Sequence, residues 1–511
     1  MGRYSLFSVL KIASRKSPLA KIQAYKVYNA IKRLKQDKII ELVFKDSQGD
    51  VDLTSPLWKF ADKGVFTKDF REDLLSERVD LVVHSWKDLD LDGSPDTEII
   101  SVLGRADQRD LLLFKKSSLQ KSSNEILILS SSPRREYNLQ SFFPLYLPAS
   151  IQKKSFRFEP VRGNIQTRIK KWESGDFDGI IVAKAAIDRL LSTDFPQHIE
   201  EDIKESREYI QKIIQDHLFM CLPLSMNPNA PAQGAIAVEI KKNRDDLKRL
   251  LKKLTIEAVD SSVREERSEL KKYGGGCHQK IGISVLLRSY GKVIYKQGVT
   301  DSGGLLEKKT LISNHHPRSK SIDNLWPNPN HKIDWERISI PTDNRPPKGH
   351  LLISRSNAWN DSWKKEDISG VIWSAGLKTM RELAKKDIWV NGTNDGLGEE
   401  ESPNLGKILP NYNFIKLTHE NSYEVESNYQ RYSTYKLVMK NEPPNFKNIT
   451  HFFWMSGYQF EYFYKLFPEI QTAYHSCGPG ITRKHIEKIL LKDLDVFLSY
   501  QDWLDYHTGV E

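Results

Sequence analysis

The segment at residues 79–84 constrains this chain most. Past Asp80 it runs Leu81, Val82, Val83 without the alternation that would leave one face to water. A strand of that kind is buried on both faces, which requires helices above and below a largely parallel sheet. The neighbouring segments supply them. Ser14-Arg15-Lys16-Ser17-Pro18 reads as a strand end passing into a helix, with Ser17 at the N-cap and Pro18 at the first helical position. Ala20, Ala24, Val27, Ile31 and Leu34 then keep helical spacing. With a strand at 39–44 and a helix at 69–77, the order βαβαβ predicts a doubly wound α/β domain.

A second unit of the same kind follows from about residue 110. It has a strand at 126–129, another N-cap and proline start at Ser132-Pro133, a strand at 179–183 and a helix at 185–191. The charged run at 200–212 reads as a solvated helix. Residues 227–239 turn Pro-, Ala- and Gly-rich before a strand at 235–240, which suggests the chain crossing back between domains. The predicted division is therefore 1–106 with 235–254, then 107–234, then a small α+β domain at 255–313. Residues 314–349, rich in Pro, Asn and His and without a period, read as a linker. From 350 to 511 strands and helices alternate again, including strands at 388–391 and 449–455. The turns at 374–379 and 477–482 echo each other as strand, glycine turn, threonine and helix, so this half is expected to have two α/β lobes.

Lys plus Arg number 77 against 67 Asp plus Glu, a net charge of +10. That balance admits a polyanionic partner, either nucleic acid or a carboxylate-rich small molecule. Nucleic acid is not expected, because the basic residues sit singly at strand and helix ends rather than interleaved with aromatics along one groove. No apolar run approaches the roughly 20 residues of a membrane span, so no membrane is expected. The three cysteines, Cys221, Cys277 and Cys477, form neither a disulfide framework nor a CxxC spacing, which points to a reducing, cytoplasmic location and no metal. A monomer is the default expectation.

Arg15, Lys59, Lys63, Lys87, Arg134, Arg135, Arg162 and Arg168 fall at strand ends and helix starts. In a doubly wound sheet these positions face the ligand crevice. Guanidinium forks and helix N-termini at Ser17 and Ser132 suit a ligand with several carboxylates; any one of these cations is equally read as solvated surface, less so Arg134, Arg135 and Arg162. Asp88, following Lys87 at the exit of the buried strand, is placed for proton transfer and for stabilising positive charge; spacing alone equally allows a turn cap. His84 on the same strand reads as a satisfied core histidine. Cys277 follows three glycines, which would expose a thiol as nucleophile or attachment point, against the alternative of a small buried hydrophobe. Cys221 and Cys477 have no comparable setting.

Seven segments taken in order resemble porphobilinogen deaminase: residues 11–20, 63–68, 80–88, Ser131-Ser132-Pro133-Arg134-Arg135, Val161-Arg162-Gly163-Asn164 through Arg168, Ala230-Pro231-Ala232-Gln233-Gly234-Ala235, and Gly275-Gly276-Cys277. The resemblance implies two doubly wound, periplasmic-binding-protein-like domains around a cleft, with a third α+β domain whose loop cysteine holds a dipyrromethane cofactor by a thioether. It implies that Cys277 carries that cofactor. Asp88 becomes the catalytic carboxylate that stabilises the cation left when porphobilinogen loses ammonia. Lys87, Ser132, Arg134, Arg135 and Asp88 become cofactor-binding, and Arg15, Ser17, Lys59, Lys63, Arg162, Arg168 and Gln233 substrate-binding. Leu89-Asp90, Pro133 and His278-Gln279-Lys280 depart from the family's usual residues without removing a chemical group.

Residues 350–511 resemble uroporphyrinogen-III synthase, on Leu351-Leu352-Ile353-Ser354-Arg355, the turn at 376–379, Phe452-Phe453-Trp454-Met455-Ser456-Gly457 and Gly478-Pro479-Gly480-Ile481-Thr482. That resemblance implies closure of the linear hydroxymethylbilane to the type III ring, with Thr379, Ser456 and Thr482 as candidate site residues. Two alternatives stay open. One is a deaminase with an inactive or regulatory C-terminal module; the other is a non-catalytic, carboxylate-binding two-domain protein.

Overall fold

The computed structural model describes residues 9–36, 38–46, 67–193, 201–274, 279–328, 335–409, 413–423, 429–440 and 442–509. Lys59, Lys63 and Cys277 lie outside the described residues. The chain divides into two compact units, each described by itself: Met1–Phe143 with Lys153–Leu287 and Ile294–Lys309, and Pro144–Gln152 with Arg288–Val293 and Thr310–Glu511.

In the first unit the strands are β1 (Leu10–Arg15), β2 (Ile40–Lys45), β3 (Leu81–Ser85), β4 (Thr97–Val102), β5 (Asp110–Phe114), β6 (Glu125–Leu129), β7 (Ser155–Glu159), β8 (Gly179–Ala183), β9 (Leu218–Cys221) and β10 (Ile236–Lys241). They form two five-stranded sheets, β2-β1-β3-β10-β4 and β7-β6-β8-β5-β9. Each sheet is parallel on one side and takes one antiparallel strand within it: β10 against β3 and β4, β5 against β8 and β9. The chain thus leaves the first sheet after β4, builds the second, and returns through β10.

Burial explains the continuous apolar run of β3. Leu81 and Val83 pack with Ala24, Val27 and Ile31 of α1 (Pro18–Leu34), while Val82 faces the other way onto Phe70 and Leu74 of α2 (Lys68–Leu75). The further helices up to residue 271 are α3 (Pro133–Tyr146), α4 (Ala149–Gln152), α5 (Ile165–Ser174), α6 (Lys184–Leu190), α7 (Glu201–Asp216), α8 (Asp245–Lys252) and α9 (Glu257–Lys271), of which α4 and the last turn of α3 belong to the second unit. The charged run of α7 is not wholly solvated, since Ile203, Ile210 and Ile213 are buried and Asp202 pairs with Lys21 of α1 at 3.1 Å. A separate three-stranded sheet holds β11 (Lys280–Arg288), β12 (Gly291–Val299) and β13 (Leu305–Ile312).

The second unit contains β14 (Leu325–Trp326), β15 (Trp335–Ser339), β16 (His350–Ile353), β17 (Ile372–Ser374), β18 (Gly392–Thr393), β19 (Phe414–His419), β20 (Tyr429–Met439), β21 (His451–Trp454), β22 (Tyr474–Cys477) and β23 (Asp495–Val496). One sheet has the order β15-β20-β19-β16-β17-β18 and the other β14-β21-β22-β23. Its helices are α10 (Leu377–Lys385), α11 (Gly457–Leu466), α12 (Ile481–Leu490) and α13 (Tyr500–Thr508).

Residues 314–349 are therefore not a plain linker. They supply β14 to the sheet of β21 and β15 as an edge strand to β20. A two-residue strand carries no detectable period, which is why pattern alone hides it; Trp326 is nevertheless buried against Phe446, Trp454 and Phe463 in an aromatic core. The strand expected at 388–391 forms instead at Gly392–Thr393. Gly392 stands opposite Trp373, and a Cβ at 392 would lie 2.3 Å from that indole, so the only residue without one takes the paired position. Among the described residues no helix is long and apolar enough to cross a membrane, and no group of three metal-ligating side chains gathers.

Candidate functional site

The end of β1 places Arg15, and the N-cap of α1 places Ser17. Ser17 has extended backbone at φ −61°, ψ 147°, yet its hydroxyl makes no capping hydrogen bond. Both residues line a cavity of about 70 Å³ with Thr67, His84, Ser85 and Asp88. Asp88 ends a 3₁₀ turn, Trp86–Asp88, that follows β3 directly, and its carboxylate is exposed. The turn is fixed from two sides. Trp86 is buried and its N–H donates to Ala235 O at 3.2 Å; Arg267 of α9 donates to the carbonyls of Trp86, Leu89 and Asp90. Helix α9 therefore grips the turn that carries the candidate catalytic carboxylate.

Lys87 reaches Gln233 Oε1 at 3.4 Å. Burial pushes its ammonium below the usual lysine range; Asp88 and Asp110 oppose that, Arg135 and Arg168 add to it. Burial also brings Arg168 down to about 10, helped by Arg135, Arg162 and Arg15 and resisted by Asp88. Arg168 is held by Gly163 O at 2.6 Å and Ser131 Oγ at 2.8 Å. Asn164 caps α5 by accepting from Thr167 N at 2.9 Å, which presents Arg162 and Arg168 from one loop and the helix it starts. So Arg168 feels the charges of Arg15, Arg135 and Arg162, Lys87 feels those of Arg135 and Arg168, and both feel Asp88, which groups these residues around one carboxylate.

Arg134 is held by the protein through both terminal nitrogens. Its Nη1 donates to Asn227 Oδ1 at 2.9 Å and Pro228 O at 2.6 Å, and its Nη2 to Asp110 Oδ2 at 2.7 Å. Arg135 shares the same carboxylate, with Nη2 at 2.7 Å from Oδ1, and its Nη1 donates to Ile181 O at 3.1 Å; the Nε of each arginine is buried without a hydrogen-bond partner. Gln233 closes the arrangement, donating to Gln108 O at 2.8 Å and Asp110 Oδ1 at 2.9 Å where the chain passes between the two sheets. Ser132 precedes α3, and its carbonyl accepts from Glu136 N at 3.2 Å.

Sequence reading missed several residues of this site. Arg189 donates to Gly234 O at 2.6 Å, and burial lowers it to about 10 against the opposing charges of Asp188 and Asp88. Glu266 is fully buried and binds Arg105 through both oxygens, at 2.9 and 2.7 Å, while accepting from the N–H groups of Ala232 and Val285. His84 lies 3.1 Å from Glu239 Oε2. Burial alone would raise Glu239, but His84, Thr97 and Arg71 draw it down to about 2. No local pattern announces these partners, which are distant in sequence.

The donor set fits the polycarboxylate group that the family carries. Clustered cations outnumber the carboxylates beside them, and a guanidinium Nε is left unpaired in the interior, an arrangement stabilised by added anionic oxygens. The two described cysteines do not compete as attachment points. Both are buried, and burial pushes the Cys221 thiol up to about 11 and the Cys477 thiol higher still.

In the second unit the three singled-out hydroxyls each stand at or near a helix start that follows a parallel strand. Thr379 is buried in the first turn of α10, Ser456 caps α11 by accepting from Gln459 N at 3.3 Å, and Thr482 lies half-buried in α12. Gly480, with φ +107°, begins α12 pressed against Gly398, where an added Cβ would lie 2.6 Å from Gly480 Cα.

Two mixed α/β sheets with a basic crevice and an exposed carboxylate at a strand exit define a class of ligand-handling α/β protein. Comparison with known proteins makes this specific. A family model described as porphobilinogen deaminase, dipyromethane cofactor binding domain, matches residues 10–249. Porphobilinogen deaminase from Clostridium novyi (strain NT) is 33% identical over 275 residues, covering 53% of this chain and 81% of that protein. The enzyme of that name from Desulfitobacterium hafniense is 31% identical over 310 residues, covering 60% and 90%. Among solved structures, CbnR, a LysR family transcriptional regulator, covers 48% of this chain and 70% of its own at 10% identity and a TM-score of 0.27. The chain belongs to the porphobilinogen deaminase family and carries its dipyrromethane cofactor-binding domain.

Proposed function

We propose that this chain makes hydroxymethylbilane from four molecules of porphobilinogen on a dipyrromethane bound to Cys277, and that its second unit closes the product to uroporphyrinogen III. The exposed Asp88 among mutually repelling cations carries the first reading. The cofactor supplies a covalent primer with a free pyrrole position. Porphobilinogen is a pyrrole dicarboxylate, so each addition brings two carboxylates into the crevice; Arg15, Ser17, Arg135, Arg162 and Arg168, with Lys59 and Lys63, bind them. Loss of ammonia leaves a cation in the pyrrole system, and Asp88 stabilises it and takes the proton released when the new bond restores the ring. Lys87, held by Gln233 at 3.4 Å, sets its ammonium charge beside that carboxylate. Arg134 joins the carboxylate-binding cations through its unpaired Nε, while Asp110 and Glu266 hold the crossing segments.

The second reading rests on two lobes, six- and four-stranded, whose helix starts carry Ser456, Thr379 and Thr482. The linear product closes by itself to the type I isomer, so a fused synthase would intercept it. The reading places the enzyme in the cytosol as a monomer. Intact-mass spectrometry of the purified chain tests the first part. The expected wild-type mass exceeds the polypeptide by a dipyrromethane, and Cys277→Ala shows the bare polypeptide and no ammonia release. A bare wild-type chain with full turnover would contradict it.

A further inference from the structure

Four adjacent strands of the six-stranded sheet, in the order β15-β20-β19-β16, bring basic side chains to one level. Tyr435 of β20 pairs with Ser339 of β15 on one side and with His419 of β19 on the other. Ile353 of β16 pairs with Leu417, so Arg355, two residues beyond Ile353, is level with His419. Arg337 precedes Ser339 by two residues and so shares its face. The charges act on one another. Burial brings His419 down to about 4, followed by the repulsion of Lys416, Arg355, Arg431 and Arg337. Arg355 is likewise lowered, by burial and then by Arg337.

Two of these cations are already engaged. Lys416 pairs with Glu399 at 2.7 Å, and Arg431 donates to Ser422 O at 3.0 Å. The others are not. Neither the Arg337 nor the Arg355 guanidinium hydrogen-bonds or pairs with a carboxylate among the described residues; Arg337 is exposed, and Arg355 reaches the surface with its guanidinium crowded by the surrounding strands. His419 Nδ1 is buried without a hydrogen-bond partner. Like charges held together without an acid between them are costly unless an anion joins them, and the planar forks of arginine bind carboxylates through two parallel bonds.

We propose that Arg337, Arg355 and His419 form a carboxylate-binding site in the second unit, which takes an acetate or propionate side chain of a tetrapyrrole. The identity of the ligand rests on the synthase reading above; the existence of an anion site does not. Uroporphyrin I, a stable octacarboxylate, serves as the probe on the full chain, with inorganic phosphate as competitor. Arg337→Gln with Arg355→Gln is expected to weaken uroporphyrin I binding at this site by about tenfold or more, which is about 1.4 kcal/mol per factor of ten. The same variant is expected to lower the type III fraction formed from porphobilinogen while ammonia release is unchanged. Arg355→Lys, which keeps charge without the fork, is expected to fall between.

The outcomes separate the two ideas. Wild-type protein that yields only type I product, yet binds uroporphyrin I through the two arginines, would sink the synthase reading and keep this site. Wild-type protein that yields type III product, with the double variant indistinguishable in binding and isomer ratio, would overturn this site and keep the reading. Phosphate that displaces uroporphyrin I at equal concentration would show a simple inorganic anion site and overturn the assignment to a tetrapyrrole. Because neither arginine has a hydrogen-bond or carboxylate partner among the described residues, circular dichroism is expected to show the double variant folded; a reduced type III fraction from an unfolded variant would count against the site.

Discussion

Replacing Asp110 by asparagine removes one charge and keeps the side-chain shape. The native carboxylate is fully buried and accepts from Arg134 Nη2 and Arg135 Nη2 at 2.7 Å each, and from Asn227 Nδ2 and Gln233 Nε2 at 2.9 Å each. The amide offers one oxygen where two were used, and turns an NH₂ donor toward a guanidinium donor. Breaking a buried ion pair by removing one partner costs about 3–5 kcal/mol, and here two guanidinia lose their counter-charge, so the loss belongs at the upper part of that range. The pH dependence has a definite sign. The arginines hold the Asp110 carboxyl far below its ordinary value of 3.8, so its contribution is complete above that value and is lost as pH falls beneath it. The difference between wild type and Asp110→Asn is therefore largest at neutral pH and shrinks in acid. Hydrogen exchange resolved to the peptides of β5, which carries this carboxylate, and of β8, which pairs with it, reads the change without interference from the second unit. A loss under about 1 kcal/mol at pH 7 would refute the reasoning, because it would mean that the two guanidinia find water or other acceptors without Asp110.

Four other outcomes follow from the geometry. Ser17→Ala should cost less than the usual ~1 kcal/mol of a lost cap, since the hydroxyl caps nothing, while raising KM for porphobilinogen; a full cap-sized loss in denaturant unfolding would contradict this. Arg267→Gln should lower kcat more than KM by loosening the Asp88 turn, and should shift the distribution of covalent pyrrole adducts seen by intact mass, whereas a purely structural role would leave that distribution unchanged. His475 accepts the Trp454 indole N–H at Nδ1, 2.9 Å away, so protonating that nitrogen breaks the bond; burial lowers it to about 4 from 6.5. Its contribution, up to about 3 kcal/mol, is present above pH 6.5 and lost toward pH 4, so exchange protection of β21 and β22 should decline through that window, and a flat profile would be inconsistent with it. Gly480→Ala combines a φ of +107° with a close approach to Gly398, so about 1–3 kcal/mol of strain should appear and the type III fraction fall; an unchanged melting temperature would argue against that.

What could be read from sequence was what is local or periodic. The unbroken apolar run of β3 required cover on both faces, and Val82 and Val83 indeed pack into different clusters. Ser17-Pro18 announced the start of α1, although not that the hydroxyl would be left uncapped. The positions of Arg15, Lys87, Asp88, Arg135 and Arg168 near strand exits and helix starts were legible because those boundaries are local. Long-range partners were not: Glu266 reaches residues 105, 232 and 285, and the shared use of Asp110 by Arg134 and Arg135 depends on how two elements meet. The row of Arg337, His419 and Arg355 was invisible for the same reason, since strands far apart in sequence set its register. β14 escaped because two residues carry no period.

The central claim is that one chain performs two successive reactions. Incubating the purified full-length protein with porphobilinogen alone, oxidising the product and resolving the uroporphyrin isomers tests it directly. The account predicts predominantly type III uroporphyrin. Predominantly type I would contradict it, leaving a deaminase whose second unit does not close the ring.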